Sequence, residues 1–342
     1  MPSINSTPLK ATQPSPTTPP EQTTTPETSS ASQLHGDIFG AIMSNLSPND
    51  RATSRGVSAQ WNRWLNEGLG VAHQVKIPSL PRKDLRKFFS SAEVKHARTI
   101  DARNYRRFVL TDADLDYLAP SGKVKAIDLR MHMHLGSKAL EILSTRFPNL
   151  EYLSLHGCDP VVLSGLPTLG ENSKNLKRIA LSHRGGVGCT PINAFLSHSG
   201  GQLESLCIYW GGLWLEGKPA PRSCYLRNWP PRDALSGVVA ASCPGLKRLA
   251  LPGHHNLTDH QLDQIIKGCP ELTTLHLCVE KLSPEYVDQL LESCPTLNFL
   301  FHHTPFSYTK RKAEWSALEN KYARMVCQQS FESWRNDELA RS

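Results

Sequence analysis

Long apolar runs are absent from this chain of 342 residues: none approaches the roughly 20 residues that a membrane-crossing helix needs, and no apolar core follows Met1. The chain is therefore expected to act in solution, without membrane partners. Its nine cysteines are an odd number and no two stand at Cys-x-x-Cys spacing, which argues against both a disulfide framework and a zinc knuckle. A reducing cytoplasm or nucleus is expected. Neither a glycine-rich phosphate loop nor a nucleophile elbow occurs. The pairs His254-His255 and His302-His303 lie in or beside expected strands, where consecutive side chains point to opposite faces and cannot converge on one metal. No catalytic residue, cofactor or metal is expected.

What the chain does have is a repeat. Leu-x-x-Leu-x-Leu patterns begin at Val124 (Ile127, Leu129), Leu150 (Leu153, Leu155), Leu176 (Ile179, Leu181), Leu203 (Leu206, Ile208), Leu246 (Leu249, Leu251), Leu272 (Leu275, Leu277) and Leu297 (Leu300), with a degenerate copy at Ala97 (Ile100, Ala102). Successive starts are 27, 26, 26, 27, 43, 26 and 25 residues apart. A pitch in the twenties is that of a strand plus a helix that cannot bury its own apolar face and stacks on its neighbours. The helical halves agree. Thr258 or Asp259 can cap a helix with Leu262, Ile265, Ile266 and Cys269 on one face, stopped by Pro270, and Ser283-Pro284 opens another with Val287, Leu290, Leu291 and Cys294, stopped by Pro295. The endings at Cys243, Cys269 and Cys294, each followed by Pro-x-Leu, resemble the cysteine-containing class of leucine-rich repeats. The expected fold is α/β, a right-handed leucine-rich-repeat solenoid of about seven or eight repeats over 97–303. The tail 304–342 reads as one helix around Trp315, Leu318, Tyr322, Met325 and Trp334 that caps the last repeat.

Two different segments precede the repeats. Residues 1–33 hold 21 Ser, Thr or Pro and too few apolar residues for a core, so disorder is expected. A linker or tail is one reading. The other rests on a resemblance to type III secretion signals of plant-pathogenic bacteria, since Met1 to Thr12 contains no acid; it implies export into a host cell. Residues 34–69 place Ile38, Ile42 and Leu46 on one helical face and Val57, Trp61 and Trp64 or Leu65 on another. Asp37-Ile38-Phe39 through Ser47-Pro48-Asn49-Asp50, with Val57-Ser58-Ala59-Gln60-Trp61, resembles the F-box. The family's opening Leu-Pro is replaced around Leu34-His35, and Arg51 stands where a Leu is usual. The resemblance implies docking on the Skp adaptor, and through it cullin, by Ile38, Phe39, Ile42, Met43, Leu46, Pro48, Val57 and Trp61. A plain helical cap for the solenoid is the alternative.

Charge and irregularity complete the expectations. Residues 76–107, mostly in a connector at 70–96, carry ten Lys or Arg against Asp84, Glu93 and Asp101, an excess of seven that equals the net charge of the whole chain, +7. Without a nucleic-acid motif or interleaved aromatics, this reads as steering toward acidic protein surfaces. Alternation along the strands turns the residues between the core leucines toward a groove, exposing Asp128, Arg130, Tyr152, His156, Arg178, Tyr209, Arg248, Phe299 and Phe301. The long step contains an insertion, 211–231, carrying Trp214 and Trp229 just after Trp210; insertions in solenoids often serve recognition, and a private core is the alternative. The target-binding set is thus Tyr152, His156, Arg178, Tyr209, Trp210, Trp214, Trp229, Arg248, Phe299 and Phe301. The expected function is a non-catalytic substrate-recognition subunit of an SCF-type ubiquitin ligase, with a non-degradative scaffold or sequestering protein as the alternative.

Overall fold

The computed structural model describes residues 74–77, 81–103, 109–183, 189–210, 234–252, 257–279, 281–302 and 308–327. Ten strands form one sheet: β1 Gln74–Lys76, β2 Thr99–Asp101, β3 Ala126–Asp128, β4 Tyr152–Ser154, β5 Arg178–His183, β6 Ser205–Trp210, β7 Arg248–Leu251, β8 Thr274–Cys278, β9 Asn298–His302 and β10 Met325–Cys327. Their order in the sheet is their order in the chain, and every pairing is parallel. Parallel neighbours need a crossover, and helices supply it here; they stack in the same sequential order, as Leu166–Asn172 does on Thr190–Ser199 and Ala234–Ser242 on Asp259–Gly268. The fold is the expected leucine-rich-repeat solenoid.

Each repeat buries its leucines because alternate strand residues face the helices. Ile127, Leu153, Ile179, Leu206, Leu249 and Leu275 stand side by side in register and belong to one continuous core that runs from Val75 to Met325. The helix signals work as their chemistry requires. Thr258 and Gln261 close a capping box in which the Gln261 amide donates to Thr258 Oγ1 at 3.4 Å and the Thr258 amide to Gln261 Oε1 at 3.0 Å. Ser283 Oγ accepts from the Tyr286 amide at 3.2 Å, with Pro284 in the first turn. The first helical residue also ties repeats together: Asp259 accepts from the Ser283 amide at 2.9 Å and from its hydroxyl at 2.6 Å, one repeat later.

Two features differ from expectation, and a third bears on the insertion. The sheet is longer than 97–303: the basic connector contributes β1 and the helices Arg82–Phe89 and Ala92–His96, and the C-terminal stretch contributes a helix, Tyr308–Lys321, followed by β10 against β9. The seventh repeat is offset by one residue. Leu275 aligns with Phe299 and Leu277 with Phe301, so the core pair there is the two phenylalanines rather than Leu300. Finally, the 43-residue step leaves the sheet intact, because Ser205 of β6 pairs directly with Arg248 of β7. The tail 1–33, the F-box-like segment 34–69 and the insertion 211–231 lie outside the described residues.

Candidate functional site

The face of the sheet turned away from the helices carries three rows. The first, in register, is Thr99, Ala126, Tyr152, Arg178, Ser205, Arg248, Thr274 and Asn298. The second is Asp101, Asp128, Ser154, Ala180, Cys207, Ala250, His276 and Leu300, and the third includes His156, Ser182, Tyr209 and Cys278. Ala180, Cys207 and Ala250 form a small apolar cluster of their own, with Leu300 packed against it. Ala180, Cys207 and Ala250 make a small-residue floor through the centre of the face. The repeat pattern alone did not single out Ala180 and Ala250, because the leucine spacing constrains the opposite face.

Around that floor the sequence-predicted residues do meet. Arg178 places its guanidinium 5.5 Å from the centroid of the Tyr152 ring, a cation–π contact between adjacent strands. His156 and Tyr209 approach edge to face at 4.8 Å, although β5 lies between their strands. They lean together over Ser182, which is 4% exposed and whose hydroxyl accepts from the Gly157 amide at 2.7 Å. Arg248 sits two strands from Arg178 with Ser205 between them. His156, Arg178, Tyr209 and Arg248 are half-buried, a state in which side chains can still offer a ring edge or a guanidinium to a partner. Strands β5 to β9 bring no Asp or Glu to this face among the described residues, so its fixed charge there is the two arginines.

Three expectations are corrected. Phe299 and Phe301 are 0% and 1% exposed and point into the core, where Phe301 packs 5.6 Å from the Trp315 ring; a one-residue shift of register moves a side chain to the other face, and the shift at Leu297 does so. Tyr152 is on the predicted face but only 1% exposed, roofed by Arg178, so it positions that arginine rather than touching a partner. Asp128 and Arg130 are not an exposed pair: at 0% and 5% exposure they form a buried ion pair, Arg130 Nη2 to Asp128 Oδ2 at 2.7 Å. Arg103 extends it to Asp101 at 2.5 Å and to Asp128 at 3.8 Å. Burial pushes the Asp128 carboxyl up, and the Arg130 guanidinium pulls against that shift. Trp210 ends β6, and Trp214 and Trp229 lie outside the described residues, as do all eight residues assigned to Skp docking.

The remaining polar chemistry is structural. His132 Nε2 donates to the Ala102 carbonyl at 2.5 Å, and burial holds this imidazole down at about 4 despite that bond. Asp114 caps its helix with Thr111 and receives Arg82 in a two-pronged contact at 2.8 and 2.7 Å. Burial alone would raise that carboxyl, but these donors outweigh it and hold it at about 2. Cys243 and Cys269 are pushed up to about 12 and about 11 by burial, so they remain thiols. Among the described residues no group of three or more His, Cys, Asp or Glu is placed to hold a metal ion.

No protein-family model matches the chain, and no curated protein matches it. The structure is similar to a chain in the solved complex of Rad7 and Elc1 from yeast, with a TM-score of 0.44 and 13% identity over 89% of this chain and 92% of that one. The repeat solenoid is assigned from its own strand order and register rather than from that likeness.

Proposed function

We propose that this chain is a non-catalytic recognition subunit. Its repeats hold a target protein on the sheet face around His156, Arg178, Tyr209 and Arg248, and residues 34–69 dock on the Skp adaptor of an SCF-type ubiquitin ligase, so that the target is presented for ubiquitin transfer. The observation that supports target binding most directly is the placing of these four side chains, from separate repeats, around a small-residue floor. Arginine and tyrosine beside well-packed neighbours are where binding energy concentrates. The adaptor half rests on the F-box-like residues Ile38 to Trp61.

The test is co-expression with a Skp adaptor. The wild-type chain should co-purify with it, and Ile42→Ala with Trp61→Ala should lose it, since each truncated anchor costs on the order of 2 kcal/mol or more. Undiminished capture by the double variant would refute the adaptor assignment. A wild-type chain that folds and captures its target but no Skp adaptor would instead identify a scaffold that sequesters its target.

A further inference from the structure

The fold arranges charge along one edge of the sheet. Residues just before the strands form a row in which each amide donates to the carbonyl of its counterpart one repeat earlier: Lys125 to Arg98 at 2.8 Å, Glu151 to Lys125 at 2.7 Å, Lys177 to Glu151 at 3.0 Å, Glu204 to Lys177 at 2.7 Å and Lys247 to Glu204 at 2.9 Å. Most of this row neutralises itself. Lys125 reaches Glu151 at 2.5 Å, while Lys177 and Lys247 flank Glu204 at 3.7 and 3.8 Å.

The first corner of the row does not. Lys95, Arg98 and Lys123 are all exposed, and none makes an ion pair among the described residues. Hydrogen bonds between repeats hold them together. Ser121 Oγ donates to the Lys95 carbonyl at 2.5 Å and accepts from the Lys123 amide at 3.1 Å, while Lys123 Nζ donates to His96 Nδ1 at 3.0 Å. Glu93, the acid nearest in sequence, is 6% exposed and offers little to a partner. Lys123 Nζ, held at the His96 ring, stands beside the two residues that flank that histidine, Lys95 and Arg98; like charges gathered in this way repel one another, and among the described residues no acid pairs with them to offset that cost.

We propose that the corner formed by Lys95, Arg98 and Lys123 is a docking surface for an acidic segment of a protein partner, distinct from the sheet face and independent of any adaptor bound by residues 34–69. The cations are presented on a hydrogen-bonded frame, which lowers the ordering cost of binding. The chemistry favours a short run of carboxylates over nucleic acid for two reasons. Apart from His96, whose ring is engaged by Lys123, no aromatic residue stands between Lys95 and Arg98 or next to Lys123 in the sequence to stack a base. A phosphate backbone following the edge would also meet Glu151 directly after Lys125 and Glu204 two strands later, whereas a compact acidic segment ends before them.

The test uses the full chain and a fluorescein-labelled oligoglutamate peptide, with anisotropy read at low and at physiological salt. Lys95→Glu/Arg98→Glu/Lys123→Glu is compared with Lys138→Glu/Lys174→Glu/Lys281→Glu, which changes net charge equally at exposed positions elsewhere. The corner variant should bind at least about tenfold more weakly and the control close to wild type, as local rather than net charge dictates. Equal loss in both variants, or wild-type binding by the corner variant, overturns the proposal. So does tighter binding of a labelled oligothymidylate of equal charge that the corner variant abolishes. If the reversed corner lowers the melting midpoint, Lys95→Gln/Arg98→Gln/Lys123→Gln is measured under the same criteria.

Discussion

Replacing Phe301 with alanine tests the register of the last repeats. The ring is 1% exposed and lies 6.2 Å from Phe299 and 5.6 Å from Trp315, tilted by 30° to each. Truncating a buried phenylalanine costs about 3–5 kcal/mol, a figure that already contains the lost ring contacts and the cavity left behind. In a repeat array each unit leans only on its neighbours, so the loss should stay local. It should fall on β9, the helix Tyr308–Lys321 and β10, which is joined to β9 by the bond from the Phe299 amide to the Arg324 carbonyl at 3.0 Å. Hydrogen exchange read by mass spectrometry resolves this. Amides of β9 and β10 should lose protection by roughly a hundredfold or more, since every 1.4 kcal/mol is about tenfold, while β3 to β6 keep theirs. Leu300→Ala, on the opposite half-buried position, should cost less than about half as much. Unchanged protection in β9 and β10 for Phe301→Ala, combined with loss of target capture, would place the ring on the binding face and refute the register.

Two further outcomes follow from the packing. A Cβ at Gly268 would overlap the Ala240 carbonyl of the neighbouring helix, so Gly268→Ala should destabilise the chain by about 1–3 kcal/mol in urea titration despite alanine's better helix propensity; a rise in stability would show that the two helices do not approach so closely. Acid should weaken the fold in two steps: His132 is neutral in the fold down to about 4 but charges near 6.5 when unfolded, so its contribution is lost as pH falls between those values, and Asp114, at about 2 folded against about 4 unfolded, extends the loss to lower pH. Each step is at most on the order of 3 kcal/mol, and the second is smaller because Arg82 is half exposed to solvent; His132→Gln should flatten the first step of a pH-dependent denaturation series and Asp114→Asn the second.

The repeat pitch made most of this fold legible. Leucines at constant spacing must lie in register, and β2 to β8 follow that arithmetic, as do the caps at Thr258 and Ser283, whose side-chain chemistry is local. Strands β1 and β10 carry no such pattern: each is three residues long and owes its existence to a neighbour already in place. Phe299 and Phe301 were misplaced because Leu297 and Leu300 satisfy the motif's first spacing, and a motif cannot register that the partner strand has moved by one. The sheet face was half legible. Arg178, Tyr209 and Arg248 lie where alternation puts them, but the roofing of Tyr152 by Arg178 and the meeting of His156 with Tyr209 across β5 depend on distances that a pattern does not carry.

The direct pairing of β6 with β7 across the 43-residue step separates two properties that most folds couple. By loop-closure scaling, lengthening the repeat step from 26 to 43 residues costs only about 0.4 kcal/mol. Leu206 still faces Leu249 across the added stretch, in the same register as the other repeats. A lineage could therefore rewrite that stretch wholesale, in length and in composition, with the two flanking strands still paired, and new specificity would be cheapest to try in a stretch that follows Tyr209 and Trp210 directly in the chain.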